Sequence, residues 1–278
     1  MKELQGKVAL VTGASRGAGR GIAFELGKAG AIVYVTGRSS SKKSTNNWPG
    51  TINDTASLIN EAGGTGIPIR CDHTIESEVK SLIQQIDKEQ GKIDIIVNNV
   101  WGGNELAIEQ KPFWELSTKH WNTMFTSGVQ AQLITNHYAI PLLRKHKTGI
   151  IIHTTFWDEN KYIGHFYYDL AKNAINRMTF NLAMELKKDG IAVIAVSPGW
   201  MRTELVLKEF ATDENHWHKI DELKQTETPH YIGRAVTSLA TDKMVMKKSG
   251  SVQKVGELAK EYKFTDIDGR YIPSFIIN

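Results

Sequence analysis

The residues with the clearest chemical use are Tyr168 and Lys172, four positions apart in a segment whose apolar residues recur with the 3.6-residue period of an α-helix. Residues i and i+4 of a helix project from one face, so a phenol and an ammonium would lie side by side. A neighbouring cation favours the phenolate and lowers a pKa that is about 10 in an ordinary tyrosine. The pair therefore predicts proton transfer, although this spacing also arises by chance in helices.

Two other hydroxyl groups stand near this pair. Thr155 follows an apolar run, residues 150–152, that is typical of a buried strand, and it stands thirteen positions before Tyr168. Tyr167 also precedes Lys172, but a separation of five residues turns it roughly 100° away on a helix. Tyr168 is therefore the better candidate of the two tyrosines.

These side chains need a scaffold, and the chain alternates short apolar runs with helical patterns. Strands are predicted at residues 7–12, 31–36, 66–70, 93–97, 149–154, 191–196 and 251–255. Helices are predicted after the first glycine turn and at residues 52–62, 75–89, 119–145, 166–188 and 229–240. This order predicts an α/β fold, a Rossmann-like doubly wound parallel sheet of about seven strands with helices on both faces. We expect a single domain over residues 1–278, with a substrate lid at 200–228 and a C-terminal tail at 256–278.

A glycine-rich turn, Thr12-Gly13-Ala14-Ser15-Arg16-Gly17-Ala18-Gly19, joins the first strand to a helix. Glycines let a backbone turn tightly and approach a pyrophosphate, whose charge is favoured by the free N–H groups at a helix start. The spacing is Gly-x-x-x-Gly-x-Gly rather than the commoner Gly-x-Gly-x-x-Gly. A plain tight turn would also explain the glycines, but the position between strand and helix favours a dinucleotide cofactor.

The choice of cofactor depends on the residues after the second strand, where Arg38 stands and no acid occurs between Val35 and Ser41. In such folds an acid binds the ribose 2′-hydroxyl of NAD, whereas an arginine accommodates the 2′-phosphate of NADP. Arg16 in the glycine turn provides a second cation. NADP(H) is therefore preferred, and NAD(H) stays open. Arg38 as an ordinary solvated loop residue also stays open.

Other polar residues carry weaker signals. Asp72 follows the third strand, at the sheet edge where ligands gather in open α/β proteins, but an aspartate there could equally cap the next helix. His216 and His218 flank Trp217 with no third ligand evident, so they are predicted to be solvated loop residues and no metal site is predicted.

The bulk composition of the 278 residues, 41% hydrophobic and 23% charged, is ordinary for a globular protein. The formal charge is +4, but basic and acidic residues are interleaved, which argues against a nucleic-acid-binding protein. The single cysteine, Cys71, excludes an intramolecular disulfide. With no signal-peptide pattern and no membrane-spanning apolar run, we expect a soluble, cytoplasmic protein.

Together these pieces resemble the classical short-chain dehydrogenase/reductase superfamily over nearly the whole chain. The matching positions are the cofactor turn with Gly13, Ser15, Arg16, Gly17 and Gly19, the adenine-side acid Asp72, the strand-four pair Asn98-Asn99, Tyr168 with Lys172, and the nicotinamide-side Pro198-Gly199 with Thr203. Phe113-Trp114-Glu115, Thr203-Glu204-Leu205 and residues 266–270 are similar to the subgroup called dehydrogenase/reductase SDR family member one.

The resemblance implies that Tyr168 protonates a carbonyl oxygen as hydride arrives from nicotinamide, and that Lys172 lowers the Tyr168 pKa and holds the nicotinamide ribose. It also implies a catalytic hydroxyl at Thr155, where the family usually has serine. The family usually places an asparagine, which holds a water of the proton relay, where this chain has Gly128. The route of the proton is therefore unassigned, although the subgroup resembles this chain in having glycine there.

The predicted function is an NADP(H)-dependent oxidoreductase acting on a carbonyl/alcohol pair. The alternative is a non-catalytic NADP(H)-binding sensor or scaffold, which the residues at positions 128 and 155 motivate. Four tryptophans in loops after strands suggest an apolar or aromatic substrate: Trp101, Trp114, Trp157 and Trp200. The resemblance further implies a homodimer or homotetramer, with the helices at 119–145 and 166–188 as interface candidates.

Overall fold

The computed structural model describes residues 2–41, 45, 48–157, 159 and 161–277. Seven parallel strands form a sheet in the order β3-β2-β1-β4-β5-β6-β7. The strands are β1 (Val8–Val11), β2 (Ile32–Gly37), β3 (Thr65–Arg70), β4 (Ile95–Asn98), β5 (Gly149–Thr154), β6 (Ile191–Ser197) and β7 (Val252–Lys254). This is the Rossmann-like α/β fold predicted from the sequence, with strand ends shifted by a few residues at most.

Helices connect the strands and cover both faces of the sheet. They are α1 (Gly17–Lys28), α2 (Ile52–Glu61), α3 (Glu76–Gln90), α4 (Ala131–Arg144), α5 (Phe166–Leu186), α6 (Glu204–Glu209), α7 (Pro229–Thr241) and α8 (Val255–Tyr262). In the described part of the chain, no helix has both the length and the apolar character needed to cross a membrane.

Two segments differ from the sequence prediction. The helix predicted at 119–145 is instead a π-helix, Trp121–Gln130, followed by α4. The segment 256–278, expected as a tail, begins within α8 and has no further helix or strand in its described residues after Tyr262. The helix forms because Val255, Leu258 and Ala259 place apolar side chains on one helical face that is buried. That helix is too short for its period to stand out in the sequence.

Alternate residues of each strand face two separate apolar cores. Val11 and Val35 pack in the core beneath α1, α2, α7 and α8. Leu10 and Tyr34 pack in the opposite core beneath α3, α4 and α5. Burial on both faces explains why the strands are continuous apolar runs rather than alternating patterns.

A buried polar chain attaches α4 and α5 to the sheet at His153. The Asn136 amide donates to His153 Nε2 over 2.9 Å, and His153 Nδ1 donates to Thr179 Oγ1 over 2.8 Å. The Thr179 hydroxyl in turn donates to the carbonyl oxygen of Ile175. Burial lowers the pKa of His153 to about 3, so this ring is neutral and serves as a structural link.

The strand order reverses between β1 and β4, which are adjacent in the sheet. The connections leaving these strands diverge to opposite sides, and a crevice opens at their carboxyl ends. All seven strands are parallel, so every loop that follows a strand reaches this same edge. The predicted site residues therefore converge there.

Replacing Gly21 by Ala should destabilise the fold, because α1 and α7 cross so closely that a Cβ at Gly21 would lie 2.0 Å from the carbonyl oxygen of Pro229. The main chain cannot move aside cheaply, so we expect a loss of about 3 kcal/mol in the free energy of unfolding, measured by urea denaturation. Lys28→Ala, at an exposed position of the same helix, should change the unfolding midpoint little. An unchanged midpoint in the Gly21 variant would contradict the close helix crossing.

Candidate active site

A cavity of about 640 Å³ lies in the crevice at the carboxyl edge of the sheet. Of the residues predicted for the site, these line it: Gly13, Ser15, Arg16, Gly17, Arg38, Asp72, Asn99, Thr155, Tyr168, Lys172, Pro198, Gly199 and Thr203. Gly19 does not line the cavity; it lies beneath the turn, against the Gly13 carbonyl and the Asn99 amide. Gly19 thus shapes the turn rather than its surface.

Asn99, directly after β4, holds the glycine turn in place. Its backbone N–H donates to Thr12 Oγ1 over 2.9 Å. Its side-chain amide donates to the carbonyl oxygens of Thr12 and Gly13, over 3.2 and 3.1 Å. The end of β4 therefore fixes the backbone that leaves β1.

A carboxylate to which the sequence analysis assigned no role at the site occupies the start of α1. Glu204 Oε2 accepts from the Gly17 N–H over 2.9 Å, and Glu204 Oε1 accepts from Arg20 over 3.3 Å. Free N–H groups and the helix dipole favour an anion at this point. The residue stands at the first position of α6, whose cap is Thr203, so this short helix is attached directly to the glycine turn.

Arg16 is largely committed to the backbone of the loop before α2. Its guanidinium donates to the carbonyl oxygens of Pro49 (2.8 Å) and Gly50 (3.1 Å) and to Ser39 Oγ (3.0 Å). It also lies over the ring of Trp48, 5.7 Å from the centroid. Residues 42–44 and 46–47 of this loop lie outside the described residues.

Arg38, which lines the cavity, forms an ion pair with Glu105. Its Nη2 lies 2.6 Å from Glu105 Oε1, in the short helical turn that follows β4. Both side chains are partly exposed, so the ion pair is accessible to a competing anion. The role of Arg38 as the ligand of a 2′-phosphate therefore stays a prediction, and so does its alternative as a solvated loop residue.

Asp72 stabilises a turn and does not cap a helix. Its carboxylate accepts from the N–H and the hydroxyl of Thr74, over 3.0 and 2.7 Å. Helix α3 begins at Glu76, and the residue before it makes no side-chain cap. Asp72 is thus held at the cavity wall, and the alternative of a helix cap is wrong.

Tyr168 and Lys172 lie on one face of α5, as predicted, but among the described residues the Lys172 ammonium makes no hydrogen bond to the phenol oxygen. Lys172 Nζ lies 3.7 Å from the centroid of the Trp101 ring and 5.4 Å from that of Tyr168. Burial raises the pKa of Tyr168 above its ordinary value and lowers the pKa of Lys172 to about 7. The predicted lowering of the Tyr168 pKa is therefore wrong for this arrangement, because desolvation outweighs a cation that faces a ring.

Thr155 reaches the cavity but directs its proton into α5. Its hydroxyl donates to Asn176 Oδ1 over 2.7 Å, and its side chain is buried. A hydroxyl has one proton, so donation to another oxygen requires that the Asn176 bond be broken, whereas acceptance does not. Asn176 was missed by the sequence analysis, since nothing local distinguishes it from other helical polar residues.

The remaining cavity walls are largely apolar. Trp101 and Trp200 line the cavity, whereas Trp114 is 80% exposed and Trp157 does not line it. Further apolar lining comes from Ile108, Phe156, Ile163, Leu205 and Val206. Two of the four tryptophans singled out from the sequence are thus placed at the site.

Tyr167 and the two loop histidines lie away from the cavity. Tyr167 is buried against Phe113, 5.9 Å between ring centroids, which agrees with its predicted turn away from Lys172. His216 and His218 are exposed, and His216 Nδ1 lies 2.8 Å from a carboxylate oxygen of Asp213.

Glu227 is a second acid that the sequence did not reveal. It is 1% exposed, and its Oε2 accepts from the Gly199 N–H over 2.9 Å. Its Oε1 is buried and has no hydrogen-bond partner among the described residues. Burial, with the Asp266 charge nearby, raises the pKa of Glu227 to about 8. A mostly neutral carboxyl therefore supports the Pro198-Gly199 backbone from behind.

With this geometry established, comparisons with known proteins show close relatives. Residues 7–214 match the family described as short chain dehydrogenase. Dehydrogenase/reductase SDR family member 1 of Mus musculus is 34% identical over 281 residues, covering 98% of this chain and 87% of that protein. 7alpha-hydroxysteroid dehydrogenase of Clostridium sardiniense is 30% identical over 245 residues, covering 87% of this chain and 89% of that protein. The solved structure of a 7α-hydroxysteroid dehydrogenase complexed with NADH and 7-oxo glycochenodeoxycholic acid has a TM-score of 0.71 at 26% identity, covering 90% and 93% of the two chains.

Glu227→Gln should remove a pH dependence of stability. The pKa of Glu227 is about 8 in the folded protein, against an ordinary value of 4.5, so the folded state binds this proton more tightly than the unfolded state. The stabilisation that comes from this proton is complete below pH 4.5 and is lost as the pH rises towards 8. We expect the wild type to lose about 3 to 4 kcal/mol relative to the Gln variant between pH 5 and pH 8, since each pKa unit corresponds to about 1.4 kcal/mol.

Urea unfolding of both proteins at the two pH values measures this difference. Glu227→Ala leaves the Gly199 N–H unpaired and should be destabilised at both pH values. Equal pH slopes in the wild type and the Gln variant would show that Glu227 is ionised throughout.

Proposed function

We propose that this chain, which belongs to the short-chain dehydrogenase family, is an NADP(H)-dependent oxidoreductase that interconverts a carbonyl compound and its alcohol. One observation carries the proposal: Tyr168, Lys172 and Thr155 line the same cavity as the glycine turn and two arginines. A hydroxyl that exchanges protons therefore adjoins a space with donors for phosphate groups.

Tyr168 acts as the proton donor in the reductive direction. When bound, NADPH supplies the hydride that forms a C–H bond at the carbonyl carbon, and the Tyr168 hydroxyl gives its proton to the carbonyl oxygen. Burial raises the pKa of Tyr168, so the phenol carries its proton at neutral pH. This supports reduction as the preferred direction; in the reverse reaction the phenolate takes the proton back.

Lys172 supports the phenolate that remains after donation. Its ammonium lies within 5.4 Å of the Tyr168 ring centroid in a buried environment, where a positive charge stabilises a nearby negative charge strongly. Thr155 can accept a hydrogen bond while its own proton stays on Asn176, and it can donate to the substrate oxygen if that bond exchanges.

The residues at the far end of the cavity fit a cofactor with a 2′-phosphate. Arg16 and Arg38 both line this end, and Arg38 has an exposed partner, Glu105, that an incoming phosphate can replace. The backbone of the glycine turn and the start of α1 suit the pyrophosphate. NAD(H) remains the second candidate, since a related 7α-hydroxysteroid dehydrogenase was solved with NADH.

The substrate class follows from the cavity walls. Trp101, Trp200 and Phe156 surround the space beyond Tyr168, which favours an apolar or aromatic carbonyl compound. The segment 200–228 acts as a lid: Glu204 attaches its first turn to the glycine turn. Exposed apolar side chains on α4 and α5, such as Leu133 and Met184, suit a homo-oligomer interface.

Tyr168→Phe should abolish turnover while cofactor binding stays nearly intact, because the variant loses the transferable proton and keeps the ring. Loss of a positioned general acid typically lowers the rate about 10²-fold to 10⁴-fold. The measurement is NADPH oxidation with a panel of apolar ketones, alongside NADPH affinity by fluorescence titration.

Tyr167→Phe is the matched control, since Tyr167 is buried outside the cavity, and it should retain turnover. Equal activity in both variants would refute the assignment of Tyr168. Tight NADPH binding by the wild type without reduction of any ketone would favour a cofactor-binding sensor instead.

Arg38→Ala should weaken NADPH binding by about tenfold or more, equivalent to about 1.4 kcal/mol, and leave NADH binding nearly unchanged. The reason is that only NADPH carries the phosphate that the guanidinium would pair with. Arg144→Ala is the control: Arg144 pairs with Asp189 over 2.6 Å, as Arg38 does with Glu105, but outside the cavity. Parallel changes in both cofactor affinities would contradict the preference for NADP(H).

A further inference from the structure

Trp101 lines the cavity beside Tyr168 and Lys172. It follows the end of β4, and its ring meets the Tyr168 ring edge-on, 5.4 Å between centroids at an interplanar angle of 83°. The Lys172 ammonium lies over its face, 3.7 Å from the centroid. One indole thus contacts both members of the proton-transfer pair.

Two glycines leave the space that this indole needs. A Cβ at Gly128, in the π-helix, would lie 2.7 Å from Trp101 Cζ3 and 2.8 Å from Cε3. A Cβ at Gly103 would lie 2.5 Å from Trp101 Cζ2. Such distances exclude any side chain at either position while the indole stays where it is. The indole is therefore held between two backbone segments.

The Lys172 ammonium depends on this indole. Lys172 is 7% exposed, and among the described residues no acceptor hydrogen-bonds its Nζ. The face of an indole carries negative charge density and attracts a cation, most strongly where water is excluded. Burial alone disfavours the ammonium and is the sole cause of its lowered pKa, so the Trp101 face offsets part of that cost.

We propose that Trp101 is a positioning residue that holds Lys172 at the site, and that position 128 is glycine because the indole needs the space of a side chain there. An asparagine, which the short-chain dehydrogenase/reductase superfamily usually has at this position, cannot coexist with the Trp101 indole in its present place. The proton route of this protein therefore uses no side chain at position 128. This inference rests on the proposed function for its meaning in catalysis. The contacts of Trp101 with Lys172 and Gly128 can be tested on the cofactor-free protein.

The packing part is tested by a double-mutant cycle on the cofactor-free protein, with Trp101→Ala, Gly128→Asn and the double variant. Gly128→Asn alone should lower the unfolding midpoint, because the side chain collides with the indole. The double variant should be more stable than the sum of the two losses predicts, since the asparagine enters space that the indole has left. Additive losses would overturn the pairing.

The electrostatic part is tested by the pH dependence of Lys172 acylation, followed by mass spectrometry on cofactor-free protein. Trp101→Leu removes the aromatic face, so the midpoint for Lys172 labelling should fall by about one pH unit. Trp101→Phe retains an aromatic face, so its labelling midpoint should lie close to that of the wild type. Trp121→Leu, at an exposed tryptophan stacked on Phe125, is the control and should leave the midpoint unchanged.

Equal midpoints in the Phe and Leu variants would overturn the role of the indole face. Neither labelling nor unfolding requires turnover, so a failure here is distinct from a failure of the proposed oxidoreductase activity. If the labelling shift is found and no ketone is reduced, the positioning of Lys172 stands and the proposed activity falls.

Discussion

The parallel direction of all seven strands is the constraint on which the site depends. In a parallel sheet every strand ends at the same edge, so residues that follow β1, β2, β4, β5 and β6 meet there although they are far apart in the chain. The reversal of strand order between β1 and β4 opens the crevice, and Asn99 fixes its floor by binding the turn after β1. Without this geometry, Tyr168 and the glycine turn would have no common cavity.

Acidic side chains hold the donors around this edge. Glu204 binds the Gly17 N–H, 187 residues away in sequence, Glu105 binds Arg38, and Glu227 binds the Gly199 N–H. Backbone and guanidinium donors in a partly buried crevice are costly if unpaired, so each has acquired an internal acceptor. The exposed pairs are open to exchange with an anionic ligand, whereas Glu227, buried and mostly neutral, gives permanent support.

Burial governs the chemistry at the other end of the cavity. It raises the pKa of Tyr168 and lowers that of Lys172, and both shifts favour the uncharged form of the group. The indole face of Trp101 stabilises the charged form of Lys172 and has no such effect on Tyr168. It attracts the cation without adding a charge or a proton acceptor to the site. A protonated phenol beside a retained cation is the arrangement that proton donation requires.

The sequence by itself determined the order of strands and helices, the glycine turn and the shared face of Tyr168 and Lys172, because each follows from a local period or turn chemistry. It also identified thirteen residues that line the cavity. Tertiary structure alone decided that the Lys172 ammonium lies over Trp101 and that the Thr155 hydroxyl donates to Asn176. It also decided that Glu204 and Glu227 belong to the site. Those contacts join segments distant in the chain. They depend on how finished elements pack, as Gly128 shows: in the sequence it is a missing side chain, and in the fold it is the space that Trp101 fills.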